Sequence, residues 1–234
     1  MTAQAILDEL RPLGRDSYKK ILLNHGAAEP ILGVKIADLQ KIRRRIKKDY
    51  HLALELFATG IYDAQYLAGL IADDAQMTGR DLRRWLAEAS PPIASFTVAS
   101  VAAGSPDGWR LALEWIESQE EKVAAAGWAT LSALISTKDD GELDLPVLKD
   151  LLQRVRKTIH TSPGHVRYQM NAFVIAAGSF VASLTKIAKQ TAEQIGRVTV
   201  DMGPTACQVP FALEYIQKVE ARGTVGKKRK SAKC

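Results

Sequence analysis

The side chains in this sequence that are best placed for chemistry are cations, and the chemistry that they suit is binding phosphate. Residues 41–48 hold six Lys or Arg side chains and no acid. If the segment is helical, four of these cations share one stripe: Lys41, Arg44, Arg45 and Lys48. A row of point charges suits a phosphate backbone and carries no base readout. We therefore predict a nucleic-acid contact here, with an ordinary solvated helix face as the alternative.

A second polar group follows the Ser-Pro-Gly turn at residues 162–164 and opens an otherwise apolar segment. Arg167 and Asn171 lie four residues apart and so share one helix face, with His165 nearby. We predict that these three residues form a DNA-binding patch, joined across the turn by the basic residues of segment 154–160. The alternatives are a buried Asn171 with its hydrogen bonds satisfied, and cations that compensate the negative end of a helix dipole.

The C-terminal segment carries the net charge of the chain. The formal net charge is +6, and residues 222–234 contain six cations and no acid, so residues 1–221 are formally neutral. Two glycines and the lack of large apolar side chains beyond Val225 predict a disordered basic tail. Its core is the run Lys227, Lys228, Arg229 and Lys230. This run is predicted either to bind phosphate without sequence preference or to serve only as a solubilising end.

Other chemistries find little support in the sequence. No Cys/His cluster has the spacing of a zinc site, and the adjacent Asp73 and Asp74 diverge on a helix, so we expect no metal and no cofactor. Cys207 has no identifiable catalytic partner and is predicted to be packed. No apolar run reaches the length of a membrane span, and the N-terminus does not have the pattern of a signal peptide. Two cysteines fit a reduced, cytoplasmic setting, and we expect a monomer with no membrane partner.

The elements that must position these residues are helices. Apolar residues recur at helical spacing in segments at about 35–48, 78–89, 106–118, 120–135, 144–157, 165–183 and 205–221. Ser105 is predicted to cap the third of these, with Pro106 at its first position. Residues 198–200 alternate like a strand but are too few. About a dozen helices separated by short turns predict stacked antiparallel pairs, a helical solenoid in one domain over residues 1–221, with a compact helical bundle as the alternative.

Several segments, taken in order and spacing, resemble a known family. They are residues 30–34 (PILGV), the helix at 37–48, residues 63–73 (DAQYLAGLIAD), the helix at 78–89 and residues 95–100 (SFTVAS). Over residues 5–220 the chain resembles the AlkD-like DNA alkylation-repair family, whose members remove alkylated purines. The resemblance implies an all-α, HEAT-like fold, a right-handed superhelix of antiparallel helix pairs, with DNA against a concave basic face.

The catalytic positions that the resemblance implies hold different residues in this chain. The family carries a Trp-Asp-x-Val-Asp pattern whose last carboxylate is catalytic, and here Phe96 stands at the Trp and Ser100 at that Asp. A family Arg maps to residues 124–126, which are all Ala, and a second family Trp maps near Val174. Cleavage of the glycosidic bond develops positive charge on the sugar, which a carboxylate stabilises and a neutral hydroxyl does not. The catalytic residues are therefore unknown, and it stays open whether the protein is an enzyme.

Together these observations predict a DNA-binding protein that contacts the phosphate backbone of duplex, damaged or branched DNA, with weak or no base excision. One alternative is an active alkylpurine DNA glycosylase with an altered active site. The other is a helical-repeat scaffold that binds protein, which a formally neutral body would suit. Steep dependence of binding on salt separates the DNA-binding hypotheses from the scaffold.

Overall fold

The computed structural model describes residues 1–233, and within that range it contains helices and turns but no β-strand. The first part of the chain forms α1 (Ala3–Leu10), α2 (Asp16–Asn24), α3 (Ile36–Ile46), α4 (Tyr50–Ala58), α5 (Tyr62–Ile71), α6 (Gly79–Glu88), a π-helix (Ile93–Val98) and α7 (Ala99–Gly104). The rest forms α8 (Gly108–Trp115), α9 (Glu121–Thr137), α10 (Leu145–Thr158), α11 (Gly164–Phe180), α12 (Thr185–Ile195) and α13 (Ala212–Ala221). Four short 3₁₀ turns join them, at Arg11–Leu13, Asp140–Glu142, Ile159–Thr161 and Ala182–Leu184.

The described chain divides into two compact units. Unit 1 comprises Met1–Leu111, Met202–Ala206 and Lys233, and unit 2 comprises Ala112–Asp201 and Cys207–Ala232. Each unit has its own buried apolar core. The expectation of a single domain over residues 1–221 stays a prediction.

The core of unit 1 forms where α4, α5 and α6 present their apolar faces. Phe57 of α4 stacks on Trp85 of α6, with ring centroids 4.1 Å apart and ring planes 7° from parallel. Asp49 starts α4 by accepting a hydrogen bond from the Leu52 amide, and Thr78 starts α6 through a capping box with Asp81. These caps satisfy amide groups that have no partner inside the helix, so the helix starts are fixed by local sequence.

A buried carboxylate ties the loop before α3 to α5. Asp63, only 1% exposed, accepts hydrogen bonds from the amides of Leu32 (2.7 Å), Gly33 (3.3 Å) and Val34 (2.7 Å). Gly33 has a φ of +81°, and a Cβ there would lie 2.5 Å from the Arg15 carbonyl oxygen, so glycine is required. A carboxyl group whose oxygens accept several backbone hydrogen bonds is satisfied when buried, and here it fixes where α3 begins.

Unit 2 is built on the packing of α9 against α11. Trp128 of α9 and Phe173 of α11 are fully buried and meet edge to face, with ring centroids 5.1 Å apart. Gly127 allows α9 to approach α8 closely, because a Cβ there would lie 3.0 Å from the carbonyl oxygen of Ala112. Large aromatic surfaces buried at a close helix contact supply much of the apolar stabilisation of such a unit.

Three local sequence predictions are wrong. Ser105 does not cap α8; it ends α7, and its hydroxyl donates to the carbonyl of Ala102. The helix starts only at Gly108, where a Cβ would lie 2.2 Å from that same carbonyl oxygen. The last helix starts at Ala212 rather than near residue 205. As a result Cys207 lies outside the helix and is exposed, not packed.

Within residues 1–233 no single helix is long and apolar enough to cross a membrane. The segments Gly164–Phe180 and Ala182–Ile195 meet that test of length and composition only when taken together, and they are bent by 115° at the break between them.

The π-helix packs on α5 through a glycine. A Cβ added at Gly69 would lie 2.3 Å from the Cγ2 atom of Thr97, which is buried. A π-helix has one more residue in each hydrogen-bonded ring than an α-helix, and such segments are frequent at functional sites. The amide of Ala99 donates to the carbonyl of Ala94, which is the widened pattern. The close contact at Gly69 therefore holds the segment on which Phe96 is carried.

We expect Gly69→Ala to destabilise the fold by about 1–3 kcal/mol, because the added methyl overpacks a buried contact. Denaturant unfolding measures the loss. Thr97→Ser removes the clashing methyl, so the double variant should recover part of the lost stability. Gly141→Ala is the matched control, since its Cβ would meet nothing within 4 Å. If Gly69→Ala and Gly141→Ala were equally stable, this account of the contact between Gly69 and Thr97 would be wrong.

Candidate nucleic-acid interface

The structure separates Phe96 and Ser100, although they lie four residues apart. Phe96 is 63% exposed, whereas Ser100 is 8% exposed. Phe96 is carried by the π-helix and Ser100 by α7, and the two side chains do not share one open face. Phe96 is therefore an aromatic ring on a regular element whose face is accessible to a ligand.

The hydroxyl of Ser100 is already used within the fold. It donates a hydrogen bond to the Thr97 carbonyl oxygen at 2.9 Å. A serine in this state carries no charge and does not present its hydroxyl to a ligand. The position that the resemblance equates with the catalytic carboxylate thus offers no group that stabilises a cationic sugar.

The other family positions are buried apolar residues. Ala124, Ala125 and Ala126, where the resemblance places an Arg, are at most 6% exposed on α9. Val174 and its neighbour Phe173, near the second family Trp, are fully buried on α11. These positions pack the core of unit 2 and do not present polar groups to a ligand.

Three of the four residues of the predicted stripe, Lys41, Arg44 and Arg45, lie on α3, but Lys48 does not, because the helix ends at Ile46 and Lys47 has a φ of +65°. All four side chains are exposed, and most are paired with acids. The ion pairs are Lys41 with Asp38 at 2.8 Å, Arg45 with Glu9 at 2.5 Å and Lys48 with Asp73 at 3.0 Å. The Lys41 ammonium holds the pKa of Asp38 below its usual range. Exposed ion pairs are worth roughly 0–1 kcal/mol, so a phosphate can replace a carboxylate at little cost. Arg44 is exposed on the same helix and stays the clearest phosphate-binding candidate of the four.

The patch predicted at the start of α11 is not a set of open side chains. The Arg167 guanidinium donates to the carbonyl oxygens of Thr199 (3.0 Å), Ser162 (3.0 Å) and His160 (3.2 Å). Asn171 is 1% exposed, and its amide nitrogen donates to the Pro210 carbonyl oxygen at 2.9 Å. Only the His165 side chain is exposed. Asn171 is therefore buried as the alternative predicted, but only its amide nitrogen is hydrogen-bonded, since its Oδ1 atom is buried without a partner. Arg167 holds the segment around residue 199 in place.

The basic residues before that turn are largely used in internal contacts as well. Arg154 pairs with Glu117, donates to the Ile116 carbonyl at 3.1 Å and lies 5.8 Å above the Trp128 ring. Arg156 donates to Gln194, and His160 donates from Nε2 to the Ile195 carbonyl. These contacts favour a structural role for the cluster over a groove for phosphate.

The structure corrects the prediction of a disordered tail. Residues 222–233 are described in contact with helices. Lys228 pairs with Asp140 at 2.8 Å and donates to the Ile135 carbonyl at 2.9 Å. Lys233 pairs with Asp74 at 2.6 Å and donates to the Ala72 carbonyl at 2.8 Å. Composition indicated disorder because few apolar groups are present, but these lysines gain carboxylates and helix-terminal carbonyls as partners. Cys234 lies outside the described residues.

Burial shifts the pKa values of both residues in the ion pair between Asp74 and Lys233. It raises the pKa of the Asp74 carboxyl, an effect that the nearby Lys233 ammonium opposes. It lowers the pKa of the Lys233 ammonium, while Asp74 opposes the shift. The repulsion of Lys48 and Arg43 adds to the lowering, which places Lys233 beside the cations of α3. The pair therefore depends on both charges being present.

Sequence reasoning missed the residues that hold these elements together. Asp63 was visible as an acid inside an apolar segment, which is a signal of a satisfied buried carboxylate. The contact between Lys233 and Ala72 joins residues 161 positions apart, and nothing local in the sequence marks it. No three His, Cys, Asp or Glu side chains in residues 1–233 are grouped so that they could hold a metal ion.

Comparisons with known proteins identify relatives of this chain. A family model described as "DNA alkylation repair enzyme" matches residues 6–172. The uncharacterized protein Lmo0209 of Listeria monocytogenes is 34% identical over 221 residues, which cover 92% of this chain and 95% of the relative. The uncharacterized protein Lin0241 of Listeria innocua is 33% identical over 220 residues, with the same coverage.

A solved structure matches the whole chain. It is described as "a new family of proteins related to the HEAT-like repeat DNA glycosylases with affinity for branched DNA structures". The TM-score is 0.92 at 34% identity, and all of both chains is covered. The prediction of an all-α, HEAT-like fold is confirmed.

We expect Lys233→Met to lower stability by about 2 kcal/mol at neutral pH, because it leaves Asp74 buried without its partner. The pKa of Asp74 then rises further above its unfolded value of about 4, so the loss is small below that pH and grows as the pH rises. Urea unfolding at pH 4 and pH 7.5 measures it. Adding Asp74→Asn should restore most of the stability at pH 7.5. A loss that is equal at both pH values would contradict the role of this pair.

Proposed function

Because the chain belongs to the DNA alkylation repair enzyme family, we propose that it binds branched DNA through its phosphates and excises bases weakly or not at all. The observation that carries the proposal is the full-length match to a protein with affinity for branched DNA structures. At 34% identity and with the same fold throughout, a shared ligand class is the simplest expectation. The finer statements about contacts rest on the side chains of this chain.

Phe96 supports a preference for branched over uniform duplex DNA. A branch point exposes base faces that stay stacked within a continuous duplex, and aromatic side chains stack on such faces at roughly 1–3 kcal/mol per base. Phe96 is exposed, and the π-helix that carries it is fixed by the buried contact at Gly69. A ring held in this way loses little conformational entropy when it binds.

The cations of α3 and the nearby Lys48 support the phosphate part of the proposal. Arg44 is exposed, and Lys41, Arg45 and Lys48 are bound to carboxylates only by surface ion pairs. Each exchange of a carboxylate for a DNA phosphate releases a counterion from the DNA, which favours binding at low salt. Because several phosphates would be contacted, binding of this kind should weaken steeply as salt rises.

We expect release of 7-methylguanine and 3-methyladenine from alkylated DNA to stay near background. Loss of one preorganised electrostatic group typically costs roughly 10²–10³ in rate, and Ser100 supplies no charge to replace it. The measurement is base release from alkylated DNA at saturating protein, with and without Ser100→Ala. Robust release by both proteins would show that another group catalyses excision and would favour the glycosylase alternative.

We expect a four-way junction to bind at least tenfold more tightly than a duplex of equal length, and Phe96→Ala to remove most of that preference. Loss of one stacked base corresponds to roughly a 5- to 150-fold weakening on the junction. Affinity for the duplex should change less than twofold. The salt slope should stay the same, because phenylalanine carries no charge. Fluorescence anisotropy at several salt concentrations measures all three quantities.

Tyr215→Ala is the matched control, because Tyr215 is the other exposed aromatic side chain among the large hydrophobic residues described. It should leave both affinities unchanged. Absence of salt-dependent DNA binding by the unmodified protein would reject the proposal and favour a protein-binding scaffold. Equal binding of junction and duplex would reject only the preference for branches.

A further inference from the structure

We infer that residues 226–230, here called the C-terminal strap, form a docked phosphate-binding element in which Lys228 is the anchor and Lys227 and Lys230 contact DNA phosphates. The inference rests on the proposed DNA binding and deepens it by separating two roles within one run of cations. In the sequence alone these lysines are equivalent. In the structure they differ in exposure and in their partners.

The chain enters the strap through a defined helix end. The amide of Gly223 donates to the Glu220 carbonyl at 2.9 Å, and the amide of Thr224 donates to the Val219 carbonyl at 3.3 Å. With Gly223 at a φ of +63°, this is a Schellman motif, which stops α13 and reverses the chain. The strap therefore leaves the helix in a fixed direction.

The strap is held at the C-terminal ends of α9 and α11. The Gly226 amide donates to the Ser179 carbonyl of α11 at 3.0 Å, and the Arg229 amide donates to the Ser136 carbonyl of α9 at 2.7 Å. Both carbonyls lie in the last turn of their helix, where no amide of the same helix can reach them. The strap thus satisfies acceptors that would otherwise need water.

Lys228 supplies the charged part of this anchor. Its side chain is only 15% exposed, and its ammonium reaches both Asp140 and the Ile135 carbonyl in the last turn of α9. A cation is favoured at a helix C-terminus by the helix dipole. An ammonium that is enclosed and bonded in this way is not available to a phosphate.

Lys227 and Lys230 differ from Lys228 both in exposure and in ion pairing. Their side chains are exposed, and neither forms an ion pair within residues 1–233. They flank the anchored positions 228 and 229, so the docked backbone presents them to solvent from a fixed support. Positioned ammonium groups without acidic partners suit phosphate and carry no sequence preference. Ordering before binding also reduces the entropy that binding must overcome.

The docking is tested without DNA by amide hydrogen exchange of the full chain. The amides of Gly226 and Arg229 should exchange at least tenfold more slowly than an unstructured peptide, and Lys228→Met should remove most of that protection. Random-coil exchange of both amides in the unmodified protein would overturn the inference, whatever the DNA result.

The phosphate contacts are tested by the double variant Lys227→Ala/Lys230→Ala on the four-way junction and its duplex control. Losing two contacts should reduce the steepness of log affinity against log salt by about 1.8, and should weaken binding about tenfold or more at low salt. Protection of the Gly226 and Arg229 amides should stay unchanged. Lys228→Met should keep the salt slope to within about 0.5, because it removes an anchor and not a phosphate contact.

The matched control is Lys20→Ala/Lys149→Ala, which removes two exposed lysines outside the strap and gives the same net charge. Its salt slope should equal that of the unmodified protein. If the strap variant and this control weaken binding equally, net charge explains the effect and the inference fails. If the unmodified protein binds no DNA, the proposed function fails, whereas binding with an unchanged slope in the strap variant rejects the strap alone.

Discussion

The contact between Gly69 and Thr97 is the constraint on which the candidate site depends. Because glycine leaves no Cβ, α5 approaches the π-helix at residues 93–98 closely. Phe96 on this segment is exposed, whereas Ser100 just beyond it is buried. The surface beside this contact therefore offers an aromatic ring and no carboxylate. A surface of this kind suits stacking and does not suit the cleavage of a glycosidic bond.

Tertiary packing also determines which charged side chains are accessible to a ligand. Several cations at α3, just beyond it and in the C-terminal segment are paired with carboxylates: Lys41, Arg45 and Lys48 at the surface, and Lys228 and Lys233 in more enclosed positions. Surface pairs exchange partners at little cost, whereas enclosed pairs do not, because separation leaves a charge without solvent or partner. Exposure therefore divides the basic residues into those that can meet a phosphate and those that hold the chain in place. A count of basic residues does not reveal this division.

The sequence predicted the elements well where apolar periodicity decides the structure. The segments predicted at 35–48, 144–157 and 78–89 are α3, α10 and α6, with ends displaced by a few residues at most. It failed where a contact distant in sequence decides, as at Ser105, whose hydroxyl serves the preceding helix, and in the tail, whose lysines find partners far along the chain. For the site, residue types indicated cations and the loss of the catalytic carboxylate. Which cations can meet a phosphate depends on the carboxylates that the tertiary fold places beside them. The local spacing of residues in the sequence does not show this.

The environment of Ser100 also explains why the altered site is self-consistent. Its hydroxyl donates to the Thr97 carbonyl, so a buried polar group is satisfied by its own helix. A carboxylate in the same rotamer would face that carbonyl oxygen with negative charge and without a donor, and burial would oppose its ionisation. A neutral donor is therefore the better residue for this position in this packing. An exposed Phe96 close to a buried, neutral Ser100 favours retention of the helical framework for binding DNA over retention of the excision chemistry.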